Sequence, residues 1–116
     1  MKFMLLIHQG TTPLPGTPEW DALSGEEQGE VYASYQEVND FPGATPGERM
    51  AGPADAKTVR VEDGKPILVD GPFAEIKEAI GGYLFLEADS PEAAVELASK
   101  IPAARMGGAV EIRPLL

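Results

Sequence analysis

The chain has 116 residues, 43% of them hydrophobic, which favours one folded domain spanning 1–116 over a disordered chain. Nineteen acidic and nine basic residues give a formal net charge of -10, which argues against nucleic acid and anionic membrane surfaces as partners. The lack of cysteine and the single histidine, His8, exclude disulfides, thiolate chemistry and a multi-histidine metal site, so we expect neither a bound metal nor a cofactor.

The first apolar run, residues 3–7, is short and bounded by polar residues, as expected for a buried central strand. It is too short to cross a membrane and lacks the cleavage pattern of a signal peptide, so we predict a cytoplasmic protein. Residues 9–18 are rich in glycine and proline and predict a loop. Thr17 and Pro18 then suit the cap and the first position of a short helical turn.

A longer helix is predicted from Ser24 and Glu27, which form a capping box because each side chain can satisfy a free backbone N–H of the first turn. The helix should end at about Asn39, before a Phe-Pro-Gly sequence. Its apolar stripe at helical spacing consists of Val31, Tyr35 and Val38.

The middle of the chain predicts a β-hairpin. Residues 57–62 alternate between apolar and polar side chains, and residues 67–69 form the return strand. Asp63 and Gly64 lie between them and tolerate the positive φ angles of a type I′ turn. Before this hairpin, residues 49–52 are a weak strand candidate.

The last third predicts a strand, a helix and a strand. Residues 82–88 form a strand with apolar side chains on both faces, and Ser90 and Pro91 suit a helix start. Residues 110–113 alternate as the final strand. The buried stripe of the intervening helix consists of Ala94, Leu97, Ala98 and Ile101.

This order gives two βαβ halves that flank an inserted β-hairpin, which predicts an α+β fold of the ferredoxin-like sandwich type. Two helices cover one face of such a sheet, yet the first strand is apolar on both faces. Phe3, Leu5 and Ile7 point one way, and Met4 and Leu6 point the other way. We therefore expect a homodimer in which the second sheet face packs against another copy of the chain.

The most informative segment is 70–78, Asp-Gly-Pro-Phe-Ala-Glu-Ile-Lys-Glu, with Gly-Gly-Tyr following at 81–83. Together with residues 1–7, 101–105 and 110–114, it resembles the DGPF-domain branch of the YciI-related (YCII) family. The resemblance implies a dimeric α+β barrel built from ferredoxin-like subunits.

The resemblance also implies two possible kinds of function, an enzymatic one and a regulatory one. Enzymatic roles are suspected for YciI-type members from a His–Asp pair in a cleft, whereas some DGPF proteins are encoded beside alternative sigma factors or fused to them. The His–Asp pair is not carried over, because no histidine occurs in residues 26–31 and Ile101 stands near the expected aspartate. Residues 36–55 also diverge from the usual, longer DGPF segment.

Asp70 and His8 are the candidate catalytic residues. Asp70 either accepts backbone N–H bonds as a turn residue or faces a pocket as a base. His8 either forms a structural hydrogen bond or carries a proton, since its unperturbed pKa lies near neutrality. Phe73 is either a core anchor or a platform for a ligand, and Lys77 lies either on a solvated face or beside an acidic ligand.

Arg49, Arg105 and Arg113 are candidate ligands for a carboxylate or phosphate group, and Arg113 alternatively pairs with an acidic residue across strands. The predicted function is a homodimer that binds an unknown small molecule, with an acid–base site near the turn at residues 70–73. The alternatives are a non-catalytic regulatory or interaction protein, linked to transcription through a sigma factor, and a turn motif that serves folding alone. The sequence leaves open whether any reaction is catalysed.

Overall fold

The computed structural model describes residues 1–72 and 80–116, so the predictions made for Phe73 and Lys77 concern residues outside this description. Short 3₁₀ turns at Pro53–Asp55 and Pro102–Ala104 accompany the regular elements. In chain order, those elements are β1 (Lys2–His8), α1 (Pro18–Asp21), α2 (Gly25–Asp40), β2 (Ala44–Arg49), β3 (Lys57–Glu62), β4 (Lys65–Asp70), β5 (Ile80–Glu87), α3 (Pro91–Lys100) and β6 (Ala109–Pro114).

The strands form a main sheet and a separate ribbon. The main sheet has the order β2-β5-β1-β6, and each neighbouring pair is antiparallel. β3 and β4 pair with each other as a two-stranded antiparallel ribbon. Helices α2 and α3 contact each other, and they contact β2 and β6 respectively. This mixture of helices with a mainly antiparallel sheet agrees with the predicted α+β class.

The hydrophobic core lies between the main sheet and the two long helices. Phe3, Leu5 and Ile7 are buried in it, and Leu86 and Leu84 lie beside the first two in the register of β5. Each large side chain of this kind contributes about 1.5–3 kcal/mol when it leaves water. The predicted stripe of the second long helix is buried in the same core, and it comprises Ala94, Leu97, Ala98 and Ile101.

The opposite side of the main sheet is covered less completely. Met4 and Leu6 are half-buried there, and Phe85 is 38% exposed. Tyr83 packs edge-to-face on Phe85, with ring centroids 5.9 Å apart. We refer to this side as the open sheet face, which in the strand registers carries Lys2, Met4, Leu6, His8, Tyr83, Phe85, Glu87, Glu111 and Arg113.

The starts of α1 and α2 match the sequence prediction, whereas Ser90 lies at the N-cap position of α3 without a side-chain cap hydrogen bond. The Thr17 Oγ1 atom accepts a hydrogen bond from the Trp20 backbone N–H. Ser24 and Glu27 form the capping box, with donor–acceptor distances of 3.1 and 3.0 Å. Within the described residues, none of the helices combines the length and the apolar character that a membrane span requires.

The edge strand β2 differs from the prediction. Residues 49–52 were expected to form the strand, but it runs from Ala44 to Arg49 and leaves Met50 outside. Pro46 and Gly47 look like loop residues in the sequence. Because β2 lies at the edge of the sheet, a proline without an N–H is tolerated there.

The β3–β4 ribbon turns at Asp63 and Gly64, whose φ angles of 50° and 74° are both positive. This is the backbone conformation that a type I′ turn needs. All residues of β4 are exposed, so the ribbon projects its apolar side chains into solvent.

Candidate functional site

A cavity of about 230 Å³ lies between α2 and the main sheet. Ile7, Val38 and Leu84 form its apolar wall, and Leu14 and Pro15 of the loop after β1 also line it. The loop predicted at residues 9–18 therefore packs over one end of the hydrophobic core.

Irregular strand pairing accompanies this cavity. Between β1 and β5 the register shifts, so that Ile7 lies opposite Gly82 while His8 lies opposite Ile80. Between β2 and β5 a second shift occurs, and Arg49 lies opposite the same glycine, Gly82. Bulges bend a strand and interrupt its ladder, and they are frequent beside functional sites. Both irregularities adjoin Gly82, which itself lines the cavity.

Gln9 lines the cavity with an unpaired amide. Its Nε2 atom is buried and makes no hydrogen bond to any described residue. The side chain lies against the backbone of Gly81, because a Cβ atom built on Gly81 would be 2.2 Å from Gln9 Oε1. A buried donor without a partner costs about 1–3 kcal/mol, so this amide is a candidate for contact with a ligand.

Two of the predicted ligand-binding residues, Arg49 and Arg105, act on Tyr35 through their charge. Burial raises the pKa of Tyr35 above its ordinary value of 10.0, and the charges of Arg49 and Arg105 partly oppose this increase. Arg105 also donates a hydrogen bond from Nη2 to Ser34 Oγ at 2.9 Å. A tyrosine phenol is protonated at neutral pH, and the raised pKa extends that range, so Tyr35 can donate a hydrogen bond inside the cavity that it lines.

His8 takes part in a different group of side chains, on the open sheet face. Its Nε2 atom lies 3.0 Å from Glu111 Oε1, and the second Glu111 oxygen accepts a hydrogen bond from Arg113 Nε. The Arg113 hydrogen bond lowers the pKa of Glu111, and the hydrogen bond to His8 lowers it further. A carboxylate in this position can hold the imidazole in one orientation.

Asp70 lies on the ribbon, away from this group. Its carboxylate forms an ion pair with Lys57, the residue directly opposite it in β3, and its side chain is 81% exposed. The next residue, Gly71, makes the backbone contacts of the corner: its N–H donates to Ala56 O at 2.8 Å, and its carbonyl accepts from Thr58 Oγ1 at 2.7 Å. Gly71 has a φ of 94°, a conformation that favours glycine.

Thus the predicted site residues separate into three places. Arg49 lines the cavity together with Tyr35, on which the charge of Arg105 also acts, His8 pairs with Glu111, and Asp70 lies on the ribbon. The cavity wall includes neither Asp70 nor His8.

A family model for the YCII-related domain matches residues 1–116. The chain belongs to the YCII-related family. A protein of Rhizobium meliloti (strain 1021), whose name describes it only as uncharacterized, is 35% identical to this YCII-related chain over 71 residues. That alignment covers 60% of the chain and 57% of the relative's length, so the chain matches little more than half of that protein.

The sequence alone did not identify two residues of the cavity in this YCII-related domain. Tyr35 was assigned to the apolar stripe of α2, and Gln9 was treated as part of a loop. Two weak features could have pointed to these residues. One is a tyrosine hydroxyl on an otherwise apolar helix stripe, and the other is the Gly81-Gly82 pair opposite the end of β1. For metal binding, residues 1–72 and 80–116 contain no cluster of three His, Asp or Glu side chains suited to an ion.

Proposed function

We propose that this protein is a small-molecule-binding homodimer whose ligand occupies the cavity between α2 and the main sheet. The observation that carries the proposal is the buried, unpaired Nε2 of Gln9 in the wall of that cavity. Apolar walls with a few converging polar groups are typical of small-molecule sites. Tyr35 and Arg49 supply further polar groups beside the Gln9 amide.

A thermal-shift screen against a metabolite library tests this proposal. A variant whose cavity is filled shows whether a ligand that binds does so in the cavity. A Cβ atom on Gly82 would make ordinary contacts, 3.4 Å to Glu48 O and 3.7 Å to Ile7 Cδ1. Because Gly82 also lines the cavity, we expect the side chain of Gly82→Leu to extend into it, whereas Gly29→Leu on the exposed surface of α2 is the matched control.

A genuine ligand should raise the melting temperature of the wild type and of Gly29→Leu by several °C at saturating concentration. It should not stabilise Gly82→Leu. A screen that yields no such ligand, or ligands that stabilise Gly82→Leu equally, would contradict the proposed location.

The proposed dimer uses the open sheet face. Met4, Leu6 and Phe85 leave apolar surface on this face, and a second copy of the chain is the partner that the proposal assigns to it. Among the described residues of this face, the positive charges of Lys2 and Arg113 balance the negative charges of Glu87 and Glu111. Because the whole chain carries a net charge of -10, two copies repel each other least through a face with balanced charge.

The sheet order β2-β5-β1-β6, with α2 and α3 against one side, supports a ferredoxin-like subunit within this proposal. The motif that begins at Asp70 supports membership of the DGPF branch. Acid–base chemistry at the turn of residues 70–73 remains a prediction, and the exposed Asp70–Lys57 pair gives it no enclosed site among the described residues.

A non-catalytic interaction protein is the second candidate, and the ribbon favours it. Val59, Val61 and Leu68 are 60%, 68% and 65% exposed, an unusual amount of apolar surface for one ribbon. Chromatography of the purified chain with an alternative sigma factor from the same genome tests this candidate. Complex formation that Val61→Lys abolishes supports it, and two separate elution peaks for the wild type would contradict it.

A further inference from the structure

The cavity beside Tyr35 contains a guanidinium group in a chain that is acidic overall. Arg49 lines the cavity, and the charge of Arg105 also acts on Tyr35. Within residues 1–72 and 80–116, neither of these guanidinium groups forms an ion pair with a carboxylate. The basic residues that do form such pairs include Lys57, Lys100 and Arg113.

Glu48 also lines the cavity, and it is the one acidic residue in the wall as described. No ion pair joins its carboxylate to Arg49 in the described part of the chain. Arg49 is the one basic residue in the wall as described, and the charge of Arg105 also acts on Tyr35 from outside the wall. The Arg49 guanidinium is exposed at this wall and can attract an anion from solution.

We propose that the cavity binds a small organic acid, with its carboxylate at Arg49 and Tyr35 and its apolar body against Ile7. This inference rests on the proposed function and specifies the chemical class of its ligand. A volume of about 230 Å³ favours a compact ligand, because sites for drug-sized molecules span roughly 300–1,000 Å³.

The polar groups suit the two oxygens of a carboxylate. A guanidinium presents two parallel N–H donors that match a carboxylate, and charge-assisted hydrogen bonds of this kind are stronger than neutral ones. The Tyr35 hydroxyl is protonated at neutral pH and acts as a further donor. The Gln9 Nε2 atom supplies another donor that is buried and unpaired among the described residues.

Benzoate and benzamide test this inference, because they have nearly the same shape and differ in charge. Calorimetric titration of each into the wild-type protein should show benzoate binding at least about tenfold more tightly. Arg49→Gln should remove most of this difference. Arg113→Gln, on the open sheet face, is the matched control and should preserve it. Arg49 and Arg113 are both exposed, so both variants should fold.

Equal affinity for benzoate and benzamide, or benzoate binding that Arg49→Gln leaves unchanged, would overturn the inference. Failure of benzoate to bind would also overturn it. The metabolite screen with Gly82→Leu detects ligands of any charge. The proposed function can therefore survive a failure of this narrower inference, and the two outcomes are distinguishable.

Discussion

The Gln9 side chain occupies the space in which a Cβ atom of Gly81 would lie, at 2.2 Å from Gln9 Oε1. This contact holds the buried amide beside the cavity that Gln9 lines. Glycine at the bulge is therefore part of the site, because a larger residue must displace the amide.

Gly81→Ala should weaken ligand binding at a small cost in stability, because the displaced atom is the end of a flexible side chain. Gly82→Ala is the matched control, since its added methyl group makes ordinary contacts. In NMR spectra, we expect the resonances of the Gln9 side-chain amide to shift in Gly81→Ala and to keep their positions in Gly82→Ala. Unchanged resonances in both variants would contradict the contact.

Gly108→Ala should destabilise the fold by several kcal/mol, because its Cβ atom would lie 2.3 Å from His8 O and 2.7 Å from Gln9 O. Both neighbours are backbone atoms, which cannot move independently. A Cβ atom on Gly29 would meet no described atom within 4 Å apart from its chain neighbours and the backbone of α2, so Gly29→Ala should stabilise the protein by about 0.5–1 kcal/mol. Urea unfolding measures both free energies, and equal effects of the two substitutions would refute this expectation.

Leu6→Asp should convert the proposed dimer into a monomer, because it places an unpaired charge in the centre of the open sheet face. Val95→Asp, at a position on α3 that is 60% exposed, should leave the mass unchanged. Light scattering at micromolar concentration measures this. A wild-type chain with the mass of a monomer would contradict the dimer itself.

Arg113→Gln should raise the pKa of Glu111 towards its ordinary value of 4.5, because the Arg113 hydrogen bond is the largest cause of the lowered pKa. A lowered pKa in the folded state means that the stabilising contribution of Glu111 is present above pH 4.5 and is lost as the pH falls through the folded value. Carbon NMR titration of the Glu111 carboxyl group measures the change. Arg49→Gln, on the cavity side, should leave that titration curve unaltered.

Asp70→Ala should change the free energy of unfolding by less than about 1 kcal/mol, because exposed ion pairs contribute little. Lys57→Ala should have a similarly small effect, since it removes the other half of the same pair. Chemical unfolding of both variants tests this. A loss of several kcal/mol for Asp70→Ala alone would indicate the structural turn role that the sequence suggested.

The sequence by itself determined the local elements that depend on short-range chemistry. The capping box of Ser24 and Glu27 and the stripe of α3 were predictable because helix caps and helical periodicity involve residues a few positions apart. The alternation also placed Phe3, Leu5 and Ile7 on one face of β1, and the structure identifies that face as the core side.

Which residues line the cavity was evident only from the tertiary structure. Pairing of β5 with both β1 and β2 brings Gln9 and Arg49 to the cavity, and the position of α2 adds Tyr35, although the three residues are widely separated along the chain. The edge position of β2 also explains why a strand can contain Pro46. Register shifts and edge positions arise from contacts between distant segments, and a one-residue change of register reverses which side chains face the core. For that reason local patterns predicted the elements, whereas the site required the assembled sheet.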